Sequence, residues 1–344
     1  MKAPFAVRDS PLASMPQVIK TIEMHTAGEP LRVIVEGGPD LGDHPILEQR
    51  RRMKQSHDGV RRLLMHEPRG HADMYGCLPV RASHPDADFG VLFMHNAGYS
   101  TMCGHAVIAL ARLAVEQEWV PISEPRTDVT IEAPCGLIRA WAEVKSGRVG
   151  KTGFLGVPAS VQQLNAPVDV DGLGRVLYDL AYGGAFYAFV DAAALGFELF
   201  AAETGRLIDI GMRIKRAVAA ATPPVHPAEP DLSFLYGTIF VGPPVDENAD
   251  SRNVCVFADG EVDRSPTGSG VSARMAIHHA HGELSPGETM RIESILGTTF
   301  DASIEEVLDG GAVVPRVEGR AFVTGRAEFT LDPDDPIGEG FLLK

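Results

Sequence analysis

Apolar and polar positions along the chain alternate between short strand-like runs and longer helix-like segments, with frequent Gly and Pro between them. The runs Thr21–His25 and Leu31–Glu36 flank a turn at 26–30 and predict a β-hairpin. Residues 45–66 predict a helix with one polar side, and Phe89–His95 predicts a buried strand. Residues 103–117 are apolar almost all round, which is typical of a helix buried in the middle of a domain.

The second half of the chain repeats this order. Residues 253–257 predict a strand, 258–266 a loop and 267–281 a helix. Aligning Cys103-Gly104-His105 with Thr267-Gly268-Ser269 also aligns Ile131-Glu132-Ala133 with Ile292-Glu293-Ser294, and a glycine follows each of the last two segments. Because the features recur in the same order at three places, we expect one internal duplication of roughly half the chain.

The repeat and the length together predict two domains, because single hydrophobic cores stop growing near ~250–300 residues. We place an N-terminal domain at 1–162, with segment 325–344 packing back on it, and a C-terminal domain at 163–324. The boundary lies near 158–167, where the apolar pattern lapses. The apolar window 183–202 is interrupted by Asp191 and Glu198, so it predicts a strand and then a helix from Asp191 to Ala221, not a membrane span.

Composition narrows the choice of partners. The formal net charge of −15 argues against nucleic acid, which needs a basic face, and the basic residues between 50 and 62 are expected to form a solvated helix face. The first residues lack the apolar stretch of a secretion signal. Four irregularly spaced cysteines indicate neither a disulfide framework nor a metal site. We therefore expect a cytoplasmic protein with neither nucleic-acid nor membrane partners.

The two predicted buried helices begin at glycine-containing loops, which offer clusters of unpaired backbone N–H groups to an anion. Cys103 stands at one such terminus, where its thiolate should be favoured and become a base or nucleophile. A lone cysteine is equally often a small core residue. The paired site at Thr267 and the adjacent Gly104-His105 favour the functional interpretation.

Several segments resemble the active-site motifs of the proline racemase family, which includes hydroxyproline epimerases and trans-3-hydroxy-L-proline dehydratases. The two long motifs are Ser100-Thr101-Met102-Cys103-Gly104-His105 and Asp263-Arg264-Ser265-Pro266-Thr267-Gly268-Ser269-Gly270. Shorter similar segments are His25-Thr26-Ala27-Gly28-Glu29-Pro30, Glu67-Pro68-Arg69-Gly70-His71, Tyr182-Gly183-Gly184 and His226-Pro227. The resemblance spans nearly the whole chain and implies a diaminopimelate-epimerase-like α/β (α+β) fold, in which each pseudo-symmetric domain wraps a sheet around a central helix.

In racemases and epimerases of this family, a cysteine heads each central helix, and the two thiols face opposite sides of the substrate α-carbon. This sequence departs from that pattern because Thr267 occupies the second position, and a hydroxyl is a far weaker acid–base group than a thiol. The combination is similar to the trans-3-hydroxy-L-proline dehydratase branch. There one base removes the α-proton and the carbanion expels the 3-hydroxyl, giving Δ1-pyrroline-2-carboxylate.

The residues allow roles to be assigned within this scheme. The backbone N–H groups of Gly104, His105, Gly268 and Ser269 are expected to hold the substrate carboxylate. Asp263 would bind the ring ammonium or cap the second helix, and His105 would assist the leaving hydroxyl or donate a hydrogen bond. The sequence contains no nucleotide, pyridoxal or HExxH motif, so no cofactor and no metal is expected.

Two rival functions stay open: a 4-hydroxyproline 2-epimerase or proline racemase, and a non-catalytic hydroxyproline-binding protein. A homodimer is possible. Other polar clusters fit no metal spacing, and the run 278–281 is expected at the surface with at most adventitious metal binding. The remaining cysteines, Cys77, Cys135 and Cys255, are expected in strand-like core positions.

Overall fold

The structure, a computed structural model, describes residues 18–343 of the chain. The N-terminal residues, for which the sequence predicts no secretion signal, lie outside this range. The strands are β1 (Val18–Thr26), β2 (Glu29–Glu36), β3 (Tyr75–Val80), β4 (Phe89–His95), β5 (Gly98–Ser100), β6 (Arg126–Ala133), β7 (Gly136–Lys145), β8 (Arg148–Leu155), β9 (Ser160–Val170), β10 (Gly174–Tyr182), β11 (Phe186–Asp191), β12 (Leu235–Gly242), β13 (Ser251–Phe257), β14 (Glu261–Val262), β15 (Thr289–Glu293), β16 (Thr299–Val307), β17 (Val313–Gly319) and β18 (Ala321–Thr330). The α-helices are α1 (Ile46–Ser56), α2 (Asp58–Met65), α3 (Gly104–Glu116), α4 (Thr204–Ala221) and α5 (Gly268–His281).

The predicted hairpin at the start of the chain is present. Strands β1 and β2 pair antiparallel around Ala27 and Gly28, whose φ angles are +52° and +92°. Two consecutive positive φ angles are the mark of a type I′ turn, whose twist matches that of the flanking strands. The turn places Glu29, the first residue of β2, in a fully buried position.

The strand pairing follows the predicted internal repeat. Strands β2 and β3 pair parallel, as do β11 and β12, and β4 pairs parallel with β6 as β13 does with β15. Ile131 and Ile292, which the sequence alignment equates, both lie in these parallel pairings. The next residues also match: Glu132 accepts the backbone N–H of Ser83 at 2.5 Å, and Glu293 accepts that of Val245 at 2.7 Å.

Each half of the repeat is completed by one strand that directly follows the other half in the chain. Strand β9, which follows β8, pairs antiparallel with β10, and β18, which follows β17, pairs antiparallel with β1. The halves are also joined directly, because β8 pairs with β17. The domain limits at 162 and 324 stay a prediction.

Helices α3 and α5 occupy equivalent central positions. Helix α3 packs against strands of its own half and against β17 and β18, whereas α5 packs against β9, β10, β11, β16 and β17. Eleven of the thirteen residues of α3 are buried, in agreement with the uninterrupted apolar pattern. These strand-wrapped helices confirm the predicted fold class. The candidate site lies at their N-terminal ends.

One sequence prediction was wrong in this part of the chain. The helix expected from Asp191 begins only at Thr204, because Gly196 adopts φ +72° and the extended segment that follows buries Phe197 and Leu199. Asp191 caps a single 3₁₀ turn through the N–H of Ala193 at 2.9 Å. The apolar lapse at 158–167 includes most of β9, whose many exposed side chains explain the polar pattern.

Candidate active site

The N-termini of α3 and α5 meet head to head. A Cβ atom on Gly104 would lie 2.6 Å from the Cα of Gly268, and one on Gly268 would lie 2.8 Å from the Cα of Gly104. Only glycine permits so close an approach of two backbones. The first helical hydrogen bonds run from Val107 to Cys103 and from Val271 to Thr267, so the N–H groups between these residues lie outside the two helical ladders.

Neighbouring segments fix this junction, including those that resemble the family. Thr26 Oγ1 donates to the carbonyl of His105 at 2.8 Å, and Thr101 Oγ1 donates to that of Gly184 at 2.7 Å. A Cβ on Gly183 would lie 2.4 Å from the carbonyl oxygen of Ser269, and one on Gly184 would lie 2.5 Å from the side chain of Met102. The paired glycines therefore let one strand end pack against both helix starts.

A small enclosed cavity lies at the junction, and all seven predicted site residues line it. They are Cys103, Gly104, His105, Asp263, Thr267, Gly268 and Ser269. Six more polar, sulfur or aromatic side chains that the sequence did not single out complete the wall together with Met102: Glu29, Tyr75, Tyr187, Tyr236, Cys255 and Phe257. The cavity volume of about 20 Å³ accommodates roughly one water molecule, so the cavity wall must move before a substrate can enter.

Cys103 is the N-cap residue of α3, and polar groups surround its thiol. Its Sγ lies 3.1 Å from Nδ1 of His105, and the N–H of Ala106 and the phenol of Tyr75 also hydrogen-bond to it. Burial raises the pKa of the thiol well above its ordinary value and outweighs the N–H of Ala106 and the phenol of Tyr75, which lower the pKa. In this cavity, burial therefore acts against the thiolate that the helix terminus is predicted to favour.

His105 is a neutral hydrogen-bonding residue here. Burial lowers the pKa of its imidazole to about 3, although a hydrogen bond to the carbonyl of Pro30 opposes the shift. A neutral imidazole carries one N–H, so the ring nitrogen that donates to Pro30 leaves the other free to accept the thiol proton of Cys103. This arrangement orients the sulfur and makes His105 a poor proton donor to a substrate.

Two carboxyl groups enter the cavity from different strands. Asp263 Oδ1 accepts the N–H of Ser265 at 2.7 Å, and the side chain also lines the cavity. Helix α5 has no side-chain cap, so Asp263 does not take the alternative role of capping it. Glu29 Oε2 accepts the N–H of Arg264 at 2.8 Å, whereas Oε1 is buried without a hydrogen-bond partner within residues 18–343. Burial raises the pKa of both groups, and Asp263 raises that of Glu29 further. A cation placed between them would relieve this repulsion.

The Thr267 end differs chemically from the Cys103 end. Thr267 Oγ1 is buried and makes no aligned hydrogen bond to any residue of the described range. Burial raises the pKa of the neighbouring Cys255 thiol well above its ordinary value, and so does Asp263, whereas the Thr267 hydroxyl lowers it. Cys255 was expected to be a core residue; it is buried in β13 but also forms part of the cavity wall.

The other sequence predictions divide. Cys77 is a buried strand residue, but Cys135 lies only partly buried in the turn between β6 and β7. The basic helix face is not wholly solvated, since Arg61 is buried and donates to the carbonyl of His95 at 3.1 Å. His278 is not a free surface residue, because its ring contacts Arg274 at 2.8 Å and Glu283 at 2.6 Å.

Among residues 18–343, no group of three or more His, Cys, Asp or Glu side chains is placed to hold a metal ion. No helix in that part of the chain has both the length and the apolar character needed to span a membrane.

Comparison with known proteins identifies the family. The family model described as proline racemase matches residues 21–342, nearly the entire chain. The chain belongs to the proline racemase family. A trans-3-hydroxy-L-proline dehydratase of Colwellia psychrerythraea is 47% identical over 95% of this chain and 93% of its own length. A 3-hydroxyproline 2-epimerase of Burkholderia multivorans is 44% identical over 95% of this chain and 98% of its own.

Solved structures of the proline racemase family and beyond share the fold. A hydroxyproline epimerase from Agrobacterium vitis, with bound trans-4-OH-L-proline, superimposes with a TM-score of 0.87. It is 30% identical, and the match covers 95% of this chain and 96% of that one. A PhzF family protein from Bacillus anthracis, at 10% identity and a TM-score of 0.60 over 91% of this chain and 99% of its own, shows similarity of fold alone.

Proposed function

We propose that this chain is a trans-3-hydroxy-L-proline dehydratase. The observation that carries the proposal is the asymmetry of the cavity: one facing helix begins at a cysteine and the other at a threonine. Relatives with the dehydratase name, at 44–47% identity over nearly the full chain, support the same assignment. The reaction class is therefore a hydro-lyase acting on an imino acid.

Substrate binding would use the junction of the helices. The N–H groups of Gly104, His105, Gly268 and Ser269 converge from two helix N-termini, where both the unpaired donors and the helix dipoles favour a carboxylate. Asp263, with Glu29 beside it, would receive the secondary ammonium of the ring. The carboxylate of the zwitterion would then face the N–H groups, and its ammonium would face the two carboxylates. The ammonium would thereby offset the effect of these carboxylates, which raise the pKa of Cys103.

The chemical step would begin at Cys103. Its thiolate takes the α-proton, so the Cα–H bond breaks and an S–H bond forms. The electron pair left on Cα forms the Cα=C3 bond as the C3–O bond breaks. The hydroxyl takes up one proton as it leaves, which balances the proton that Cys103 removes from Cα, and water is released. The enamine product tautomerises to Δ1-pyrroline-2-carboxylate. Only one strong base is required, which suits a site with a weakly acidic hydroxyl at Thr267.

A second candidate is a 3-hydroxyproline 2-epimerase. It is favoured by the Cys255 thiol beside Thr267, which offers an acid on the side opposite Cys103, and by the epimerase name of one relative. Against it, Cys255 lies on strand β13 and does not head the facing helix, a position that Thr267 occupies. The hydroxyl at the helix end favours elimination.

One experiment separates the candidates. The purified protein is incubated with trans-3-hydroxy-L-proline, trans-4-hydroxy-L-proline and L-proline, and cyclic imine formation and optical rotation are followed. A dehydratase forms imine from the 3-hydroxy compound alone. Inversion at Cα of trans-3-hydroxy-L-proline without imine formation, or inversion of 4-hydroxyproline at a comparable rate, would replace the proposal with an epimerase. Binding of all three without turnover would replace it with a binding protein. A cytoplasmic location and a homodimer remain predictions.

A further inference from the structure

The phenol of Tyr75 stands beside the catalytic sulfur in a buried position. Tyr75 is 3% exposed at the start of β3, lines the cavity, and has its ring edge 4.9 Å from the ring of His105. Its hydroxyl hydrogen-bonds to Ser100 Oγ and to the thiol of Cys103. The phenol therefore belongs to the Cys103 side of the cavity.

The hydrogen bonds around Tyr75 leave its phenolic proton free to be donated into the cavity. A phenol has a single O–H and can accept two hydrogen bonds. When the buried Ser100 hydroxyl donates to the phenolic oxygen, the Tyr75 proton is free to point towards sulfur or a ligand. Burial raises the pKa of Tyr75 well above its ordinary value, so the group is a protonated donor at neutral pH.

Substrate stereochemistry fixes where a proton donor is needed. In trans-3-hydroxy-L-proline the hydroxyl lies on the ring face opposite the carboxylate, and so does the α-hydrogen. The departing oxygen therefore lies on the face from which Cys103 takes the proton. His105, also on this side, is neutral and uses its N–H on Pro30, so it is a poor donor. Tyr75 fits this position.

We propose that Tyr75 is the acid that protonates the departing 3-hydroxyl and that Cys103 returns the proton to it, an inference that rests on the proposed dehydratase function. As the C3–O bond breaks, the phenolic proton moves to the leaving oxygen and water forms. The resulting phenolate takes the proton that Cys103 removed from Cα. The proton moves from the thiol to the phenolate because a phenol is a weaker acid than a thiol. Thiolate and phenol are thus restored without a proton from solvent.

The test is Tyr75→Phe, which removes one oxygen and keeps the ring against His105. Dehydration of trans-3-hydroxy-L-proline in D₂O is followed together with deuterium at Cα of the recovered substrate. We expect dehydration to fall by about 10²–10⁴-fold, while α-exchange per imine formed rises at least about tenfold, because the carbanion forms but cannot expel hydroxide. With trans-3-chloro-L-proline, whose leaving group needs no proton, the variant should lose less than about tenfold in rate.

Controls distinguish this role from others. Tyr178→Phe alters a buried phenol of β10 that does not line the cavity and should leave both readouts unchanged. If Tyr75→Phe fails to fold, Ser100→Ala, which removes the donor to the phenol, should shift the exchange ratio in the same direction by a few-fold. Equal losses of exchange and dehydration, or an equal loss with the chloro substrate, would overturn the proposal. A wild type that forms no imine would instead refute the dehydratase function itself.

Discussion

The two helix starts share a backbone plan but differ in their side chains. Cys103 is extended, with φ −147°, and its sulfur contacts an imidazole, a backbone N–H and a phenol. Thr267 is held in the left-handed region at φ +68°, and its hydroxyl has no aligned partner in residues 18–343. A β-branched residue there costs on the order of 1–3 kcal/mol. Both ends then continue into glycine and a buried helix.

In the proposed function, the difference between the two helix starts separates substrate binding from acid–base chemistry. The paired N-termini and their abutting glycines are nearly symmetric, and in the proposed function their N–H groups hold the carboxylate of an imino acid. The acid–base groups, in contrast, are concentrated at the Cys103 end. Changing side chains at the ends should therefore alter the reaction, while the symmetric backbone site continues to bind.

The largest effect is expected from removing the strong base. Cys103→Ser should lower the rate of imine formation by about 10³-fold or more, because a hydroxyl is too weakly acidic to supply an anion at neutral pH. Substrate or pyrrole-2-carboxylate binding should persist, since the N–H groups are unchanged. Cys135→Ser, in the turn between β6 and β7 and outside the cavity lining, is the matched control and should keep full activity. Retention of most activity in Cys103→Ser would refute the assignment of the base.

A pH series probes the same end with a smaller effect. The thiolate is the reactive form, and burial raises the pKa of Cys103, so the deprotonated fraction at neutral pH is small and grows with pH. We expect kcat/KM to rise about tenfold per pH unit from pH 6 and to level only above about 8.5. A profile already flat at pH 6 would contradict this, and the comparison should be made where circular dichroism shows the fold unchanged.

Introducing a thiol at the other end should make the two ends alike. Thr267→Cys would place a second acid on the opposite face of the α-carbon, at a helix N-terminus that helps to tune its pKa. With trans-4-hydroxy-L-proline, which cannot lose a 3-hydroxyl, the variant should gain slow epimerisation with deuterium delivered by inversion. The gain is expected to be small, since a catalytic group must sit within about 0.5 Å of its productive position.

Thr267→Ser keeps a hydroxyl at the same place and serves as the control for that gain. It should show no inversion, although wild type and both variants are free to exchange the α-proton with retention through Cys103. Inversion by wild type or by the serine variant at the rate of the cysteine variant would show that the difference between the ends does not decide the reaction.

The smallest effect is expected from metal removal. Exhaustive dialysis against EDTA should leave the dehydration rate unchanged, because backbone dipoles at both ends take the role that a metal ion would have in stabilising the carbanion. A parallel dialysis without chelator controls for losses on handling. A rate that collapses and returns with a divalent ion would reveal a site that the residues do not suggest.

Sequence periodicity predicted the parts of the fold with strong local patterns. The hairpin, the strand at 89–95 and the central helices follow from apolar runs and turn residues that act over a few positions. The start of α4 could not be found this way, because Gly196 and the burial of Phe197 in extended chain are tertiary effects. The same applies to β9, whose polar exposed positions concealed a strand.

The site was predictable where residues lie in the two motifs and not elsewhere. Tyr75, Tyr187 and Tyr236 reach the cavity from β3, β11 and β12, distant in sequence from either motif, and no local pattern marks an inward-facing tyrosine. Glu29 lay within a familial segment, which was a usable signal. The high pKa of the buried thiol was also missed, because helix-end reasoning contains no measure of burial.

The exchange of β9 and β18 between the halves has a consequence for how the chain can be divided. Strand β1 needs β18, which is more than three hundred residues later than its own start in the sequence, and β10 needs β9, which follows the last strand of the first half. Each half is thus completed by a strand that follows the other half in the chain. A fragment ending at residue 162 would expose the edge of β1, so the halves should fold together rather than one after the other during synthesis.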